Sequence, residues 1–272
     1  MEAKRIIACL SIFALAGTQI HGESPAAVQQ AHKLSEIKYP ELPEAISSFG
    51  GVVSGDYLYV YSGHTGTAHD HSKNNLSQSF LRISISNPGN WQTLPVEDPL
   101  QGLAVVTHAG KIYRLGGLQA FNEDVDSPDL HSSDKVAVFD PTTSQWTSLT
   151  NLPDARSSHD AVVLGNQVFV VGGWNLTGDE EGTWHEYGLT ADLSQRPLVW
   201  QKFEVPFQRR ALAVSTLGQK IFVIGGMNAD HDIERTVSIY DPKSKQWSAS
   251  PDLPGEGMDG FGVSAWTLNG QL

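Results

Sequence analysis

The amino-acid sequence predicts an all-β protein assembled from tandem four-stranded units, on three observations that share one period. The run Gln167-Val168-Phe169-Val170-Val171-Gly172-Gly173 has close copies ending at Gly117 and Gly226 and a weaker one ending at Gly63, spaced 54, 56 and 53 residues apart. A β-branched and aromatic run closed by paired glycines reads as a short strand ending where the backbone turns or meets a neighbour closely. A tryptophan follows each run, at Trp91, Trp146, Trp200 and Trp247, and a Leu-Pro or Val-Pro follows each tryptophan, as at Leu152-Pro153 and Val205-Pro206. Three residue types keeping one spacing mark a repeat array.

In chain order, residues 1–22 read as a cleaved secretory signal: a charged start, an apolar run over 6–16 too short to span a bilayer, and a polar exit. Residues 23–33 read as a linker. The segment 34–43 resembles the last strand of a unit with no earlier strands before it, and is expected to complete the final unit of a closed ring. Four complete units follow at about 46–95, 100–153, 156–206 and 209–254, and a fifth begins at 258–272. Their strands are expected at 49–53, 57–61, 80–86 and 91–94; at 103–107, 111–115, 135–139 and 146–149; at 161–164, 167–171, 183–189 and 198–205; and at 212–217, 220–224, 236–240 and 247–250. Asn87-Pro88, Asp140-Pro141 and Asp241-Pro242 set the turns before three of the tryptophan strands, whereas the third unit uses 191–195 instead. The fifth unit opens with an expected strand at 260–268, so the ring reads as truncated.

Composition narrows the partners. Eighteen Lys and Arg stand against 30 Asp and Glu, a formal charge of −12 with no basic run, which argues against nucleic acid and anionic membrane surfaces. The single cysteine, Cys9, lies inside the signal, leaving a mature chain without thiols. Export without disulfides points to a secreted or periplasmic protein, bacterial rather than eukaryotic, with no membrane insertion once the signal is removed.

Four strands, a Gly-Gly after the second, a Trp in the fourth and a period near 50 resemble the kelch repeat across residues 34–272. The resemblance implies a kelch-type β-propeller, with the loops between second and third strands and the loops between blades sharing one binding face. Ser62 in place of a first glycine and the absent Asp-Pro turn of the third unit are departures from that pattern. The family includes protein-binding propellers and enzymes, among them exported sialic acid mutarotases; the copper centre of its galactose oxidase branch needs a cysteine that this mature chain lacks.

Candidate binding residues cluster on that face. Arg156 and Arg209 both stand 16 residues before a glycine doublet, with His159 and Arg210 beside them. Their guanidinium forks would suit a carboxylate ligand or an acidic sugar, or would brace adjacent units against a nearby Asp or Glu. Trp174, directly after a doublet, is placed to stack on a sugar ring. His64, with His69, Asp70 and His71, is imidazole-rich, yet no spacing matches an established metal site, so neither metal nor cofactor is expected. Asp259, beside Met258 and Gly260, is a carboxylate candidate at the fifth unit. No catalytic residue is assigned; the expected function is an exported module binding a protein or glycan, with a sialic acid mutarotase or epimerase as the alternative.

Overall fold

Four antiparallel sheets, each a simple four-strand meander, carry the chain. The computed structural model describes residues 38–272, so the expected signal, the linker and residues 34–37 lie outside the described residues. Residues 40–272 form one unit, and those up to Tyr39 belong to another. The first sheet comprises Gly50–Ser54, Tyr57–Tyr61, Phe80–Ser84 and Gln92–Leu94; the second, Ala104–His108, Lys111–Leu115, Val136–Asp140 and Gln145–Ser148. The third comprises Asp160–Leu164, Gln167–Val171, Tyr187–Asp192 and Gln201–Glu204; the fourth, Ala213–Leu217, Lys220–Ile224, Val237–Asp241 and Gln246–Ser250. The first strands of successive sheets are neighbours in space.

The uninterrupted apolar run of Gln167–Val171 has a direct cause. Side chains alternate across a strand, and here both faces are covered: Val168 and Val170 pack with Tyr113, Val136 and Val138 of the second sheet, whereas Phe169 and Val171 pack with Val214, Val223 and Tyr240 of the fourth.

The doublets are needed for the same packing. The second glycine donates its N–H to the linker that follows its sheet: Gly63 to Leu100 O, Gly117 to Arg156 O, Gly173 to Arg209 O and Gly226 to Gly260 O, all at 2.7–2.9 Å. Gly172 adopts φ 72° with the Arg209 carbonyl where a Cβ would stand, so a side chain there meets backbone as well as strain. Ser62 tolerates the same left-handed turn at φ 50°, its hydroxyl donating to Ser77 O and accepting from Leu100 N–H. Each periodic tryptophan donates its indole N–H to the segment preceding its sheet or to the previous sheet: Trp91 to Pro40 O, Trp146 to Pro95 O, Trp200 to Thr150 O and Trp247 to Glu204 O. The third unit replaces the Asp-Pro turn with Asp192, which accepts from Ser194 N–H as Asp140 does from Thr142 and Asp241 from Lys243.

Two expectations are corrected. The expected strand at 260–268 does not form: 257–262 is a series of turns, and the chain beyond is held by Gly262 N–H on Ala211 O, the Thr267 hydroxyl on Thr216 O, and the packing of Val263 and Ala265 on Ala213 and Ile224. The start of the expected closing strand, residues 34–37, lies outside the described residues; of 38–43, which are not in a strand, Pro40 occupies the acceptor place of Pro95. The third strand of the third sheet starts at Tyr187, because Thr183–Trp184 pairs instead with Trp174–Asn175 in a separate ribbon. No helix among the described residues is long and apolar enough to cross a membrane.

Candidate functional site

The loops that follow the doublets begin alike. His64, Leu118, Trp174 and Met227, each directly after a doublet, pair antiparallel with the linker residues Ser47, Gln101, Ser157 and Arg210. Beyond these points the loops are long, and each is tied to the next. Lys73 N–H of the first loop donates to Asn122 O of the second, Lys73 Nζ pairs with Glu123, and Asn122 Nδ2 donates back to His71 O. The second and third loops share a three-stranded ribbon in the order Leu118–Ala120, Leu130–Ser132, Thr177–Gly178. Third and fourth meet where Trp184 contacts His231 at 6.1 Å. The result is one continuous surface, joined by strand pairing between the second and third loops and by single hydrogen bonds and side-chain contacts at its other seams.

Beneath it, each sheet boundary holds one buried guanidinium. Arg156 is fully buried; its Nη1 donates to Gly172 O at 3.0 Å and Tyr187 O at 3.5 Å, with the guanidinium 5.6 Å from the Tyr187 ring. Arg209, 2% exposed, donates to Gly225 O at 3.1 Å, to Thr236 and to the Ser238 hydroxyl, and lies 3.7 Å over Phe207. Burial lowers both guanidinium pKa values to about 10, and at pH 7 both remain charged. The two arginines therefore brace neighbouring sheets through main-chain carbonyls; neither forms an ion pair with a carboxylate among the described residues. Arg209 also borders a recess of about 400 Å³.

Arg114 is the third of the set and carries no sequence assignment above. It is 1% exposed, ion-paired to Glu97 at 3.2 Å and Asp98 at 3.0 Å, and lies 6.0 and 5.7 Å from the Tyr61 and Trp146 rings. Its signal in the sequence is a cation flanked by apolar residues inside a strand, Ile112-Tyr113-Arg114-Leu115.

Arg210 differs from these. It is half-buried on the loop surface, its guanidinium 4.2 Å over Trp174, 5.7 Å from Trp184 and 5.6 Å from Phe261, with Nη2 donating to the Met227 sulfur. Trp174 is thus not free: one face is taken by this cation and its edge by Trp184 at 5.7 Å. Trp184 was hidden from sequence reasoning inside an expected strand.

The remaining candidates lie apart. His159 is buried against the doublets, its Cβ facing Gly173 and its ring facing Gly116. Burial, then the charges of Arg156 and His185, hold it neutral, well below the ordinary histidine range. His64 is buried with Nε2 on Thr67 O, and its ring stands 5.0 Å from His71. No group of three or more His, Cys, Asp or Glu among the described residues is arranged to hold a metal. Asp259 is exposed and caught in its own turn, accepting from Glu256 N–H.

Residues 48–263 match the family model described as the KLHDC2/KLHL20/DRC7 Kelch-repeats domain. The chain is 27% identical over 226 residues to Kelch-like protein terF of Aspergillus terreus, covering 80% of this chain and 46% of that protein. It is also 27% identical over 272 aligned positions to N-acetylneuraminate epimerase of Haemophilus influenzae, covering 85% of this chain and 68% of that protein. The solved structure of YjhT superposes with a TM-score of 0.64 at 16% identity, covering 80% of this chain and 69% of that one, a likeness of fold. The chain spans less than half the length of the first curated relatives it matches, 46% of terF and 33% of Kelch-like protein 25 from Xenopus tropicalis.

Proposed function

From the premise that the chain belongs to the kelch-repeat family, we propose that it is an exported binding module that holds a protein or glycan on the surface built by its post-doublet loops and inter-sheet linkers. The observation that carries this reading is that the four long loops are tied in succession, the second and third by strand pairing, with the half-buried Arg210, Trp174 and Trp184 cluster among them. A surface ordered before its ligand arrives loses little entropy on binding. Export rests on residues 1–22 and is tested by N-terminal sequencing of the secreted protein. The module itself is tested by probing the purified chain on glycan and peptide arrays, beside a Trp174→Ala/Arg210→Gln variant that retains the wild-type unfolding midpoint. Binding lost in the variant supports the reading; binding indifferent to it moves the contact elsewhere.

The second reading, action on a sialic acid, is favoured by one observation: the alignment with N-acetylneuraminate epimerase covers 68% of that protein, more than of the kelch-like relatives. Against it, the guanidinium groups of Arg156 and Arg209 are engaged with main-chain carbonyls beneath the surface and would have to leave them to hold a sugar carboxylate. Proton NMR of N-acetylneuraminate with added protein separates the two readings, since a mutarotase accelerates exchange between anomers and a binding module does not.

A further inference from the structure

Where the third and fourth sheets meet, two recesses of about 400 and 440 Å³ share Pro206 as a common wall and together form a groove on the outer side of Arg209. Phe203, Phe207 and Trp247 line it, packed over the buried ring of Tyr240. Phe203 stacks on Tyr240 at 5.0 Å, Tyr240 lies 4.9 Å from Trp247, and Phe207 meets Trp247 edge-on at 5.4 Å. Its rim is acidic: Glu186 and Glu204 on one recess, Asp230 and Glu234 on the other.

None of these four carboxylates makes an ion pair among the described residues. Glu186 accepts only from Gln208 Nε2, and Glu234 from Asn228 and Thr236. The groove's two cations are already engaged. Lys202 lies 3.7 Å over the Tyr187 ring and 3.7 Å from Asp154, and Arg209 is bound to carbonyls and hydroxyls underneath.

The same molecule shows what this chemistry holds. At the boundary of the first two sheets, Tyr61 and Trp146 with Glu97 and Asp98 surround the guanidinium of Arg114. Aromatic faces and carboxylates attract a cation together, the first through the ring quadrupole and the second through charge. At the third boundary Arg209 takes the Phe207 face and feels the charge of Glu234, whereas Glu186, Glu204 and Asp230 pair with no cation among the described residues.

We infer, building on the binding-module reading, that this groove docks a basic segment of a partner protein, an extended stretch whose Arg or Lys side chains alternate with apolar residues. The apolar residues lie on Pro206 and Phe203 and the cations reach the rim. The segment meets the rim of the loop surface, not the Arg210 cluster.

The probe is a fluorescein-labelled octapeptide, Gly-Arg-Pro-Leu-Arg-Pro-Leu-Gly, beside its counterpart with both arginines replaced by glutamate, each titrated by fluorescence anisotropy. The arginine peptide is expected to bind and the glutamate peptide not. Glu186→Gln/Asp230→Asn, one change per recess, is expected to weaken binding roughly fivefold, two exposed ion pairs' worth. Asp124→Asn/Asp126→Asn, an equal charge change on an exposed loop, is expected to leave it unchanged. Equal weakening by the two double variants would overturn the inference, by showing diffuse attraction to an acidic chain. Failure of both peptides to bind also overturns it, and leaves the binding-module reading to the array experiment. Unfolding midpoints equal to wild type exclude misfolding as the cause.

Discussion

Arg156 and Gly172, sixteen residues apart, are joined by a hydrogen bond of 3.0 Å from guanidinium Nη1 to the glycine carbonyl, and Arg209 repeats the bond to Gly225 across the same interval. In both, the main chain of the arginine serves the preceding sheet, accepting from Gly117 or Gly173 N–H, while the side chain serves the next. One residue thus ties two sheets.

Arg156→Ala is expected to cost about 3 kcal/mol, because it empties the volume of a fully buried side chain and leaves carbonyl acceptors without a donor. Arg156→Met refills most of the volume and should recover about half of that. Urea unfolding followed by circular dichroism measures both. A loss under about 1 kcal/mol for the alanine variant would mean that the brace contributes little.

Two glycines separate strain from collision. Gly165 at φ 62° faces open space, and Gly172 at φ 72° faces the Arg209 carbonyl. Gly165→Ala is expected to lose about 1 kcal/mol for the left-handed backbone alone. Gly172→Ala should lose at least twice as much, since the neighbouring linker must also move. Equal losses in paired denaturation curves would rule out close approach as the reason for the doublets.

Acid sensitivity follows from three groups. Burial lowers the His185 pKa to about 4, and burial with the Arg156 charge holds His159 well below its ordinary range. The unfolded chain protonates both below about 6.5 while the folded chain does not, so stability falls as pH drops through that window. Asp160, whose carboxylate accepts Val214 N–H of the next sheet, is raised by burial to about 6. Between about 6 and 4 the folded state holds its extra proton, and this contribution grows as pH falls. Unfolding free energy should therefore decline from pH 7 downward with the slope moderated below about 6. His185→Gln should flatten the decline and Asp160→Asn steepen it. A wild-type protein as stable at pH 5 as at pH 7 in urea titrations would contradict this account.

Hydrogen exchange tests whether the loop surface is ordered in advance. Ser132 N–H donates to Leu176 O at 2.9 Å, and Leu176 N–H returns to the Ser132 hydroxyl at 3.0 Å. Both amides should exchange slowly although they lie in long loops, whereas amides at the exposed tip around Asp126 should exchange fast. Ser132→Ala should speed exchange at Leu176 by roughly fivefold, one hydrogen bond's worth. Uniformly fast exchange across the loops would remove the main support for a preformed binding surface.

The period of the doublets and tryptophans located the four sheets because each marker answers to its own immediate geometry: a left-handed turn at Gly172, a flat ring with one donor at Trp247, a carboxylate capping the turn at Asp140. It misplaced Trp184 and the 260–268 segment because strand formation depends on which partner the fold brings alongside, and Trp184 pairs in a ribbon with Trp174. Arg156 and Arg209 were recognised as equivalent from spacing alone. Where their guanidinium groups point was not legible, since a cation sixteen residues from its acceptor reaches it only after two sheets have packed.

The sequence by itself therefore determined the unit, its number of complete copies and the residues that turn and seal it, all consequences of short-range backbone and side-chain preference. Only the tertiary structure decided which cations are spent inside and which carboxylates are left without a cation at the Pro206 groove, because pairing and burial are properties of neighbours brought together by folding.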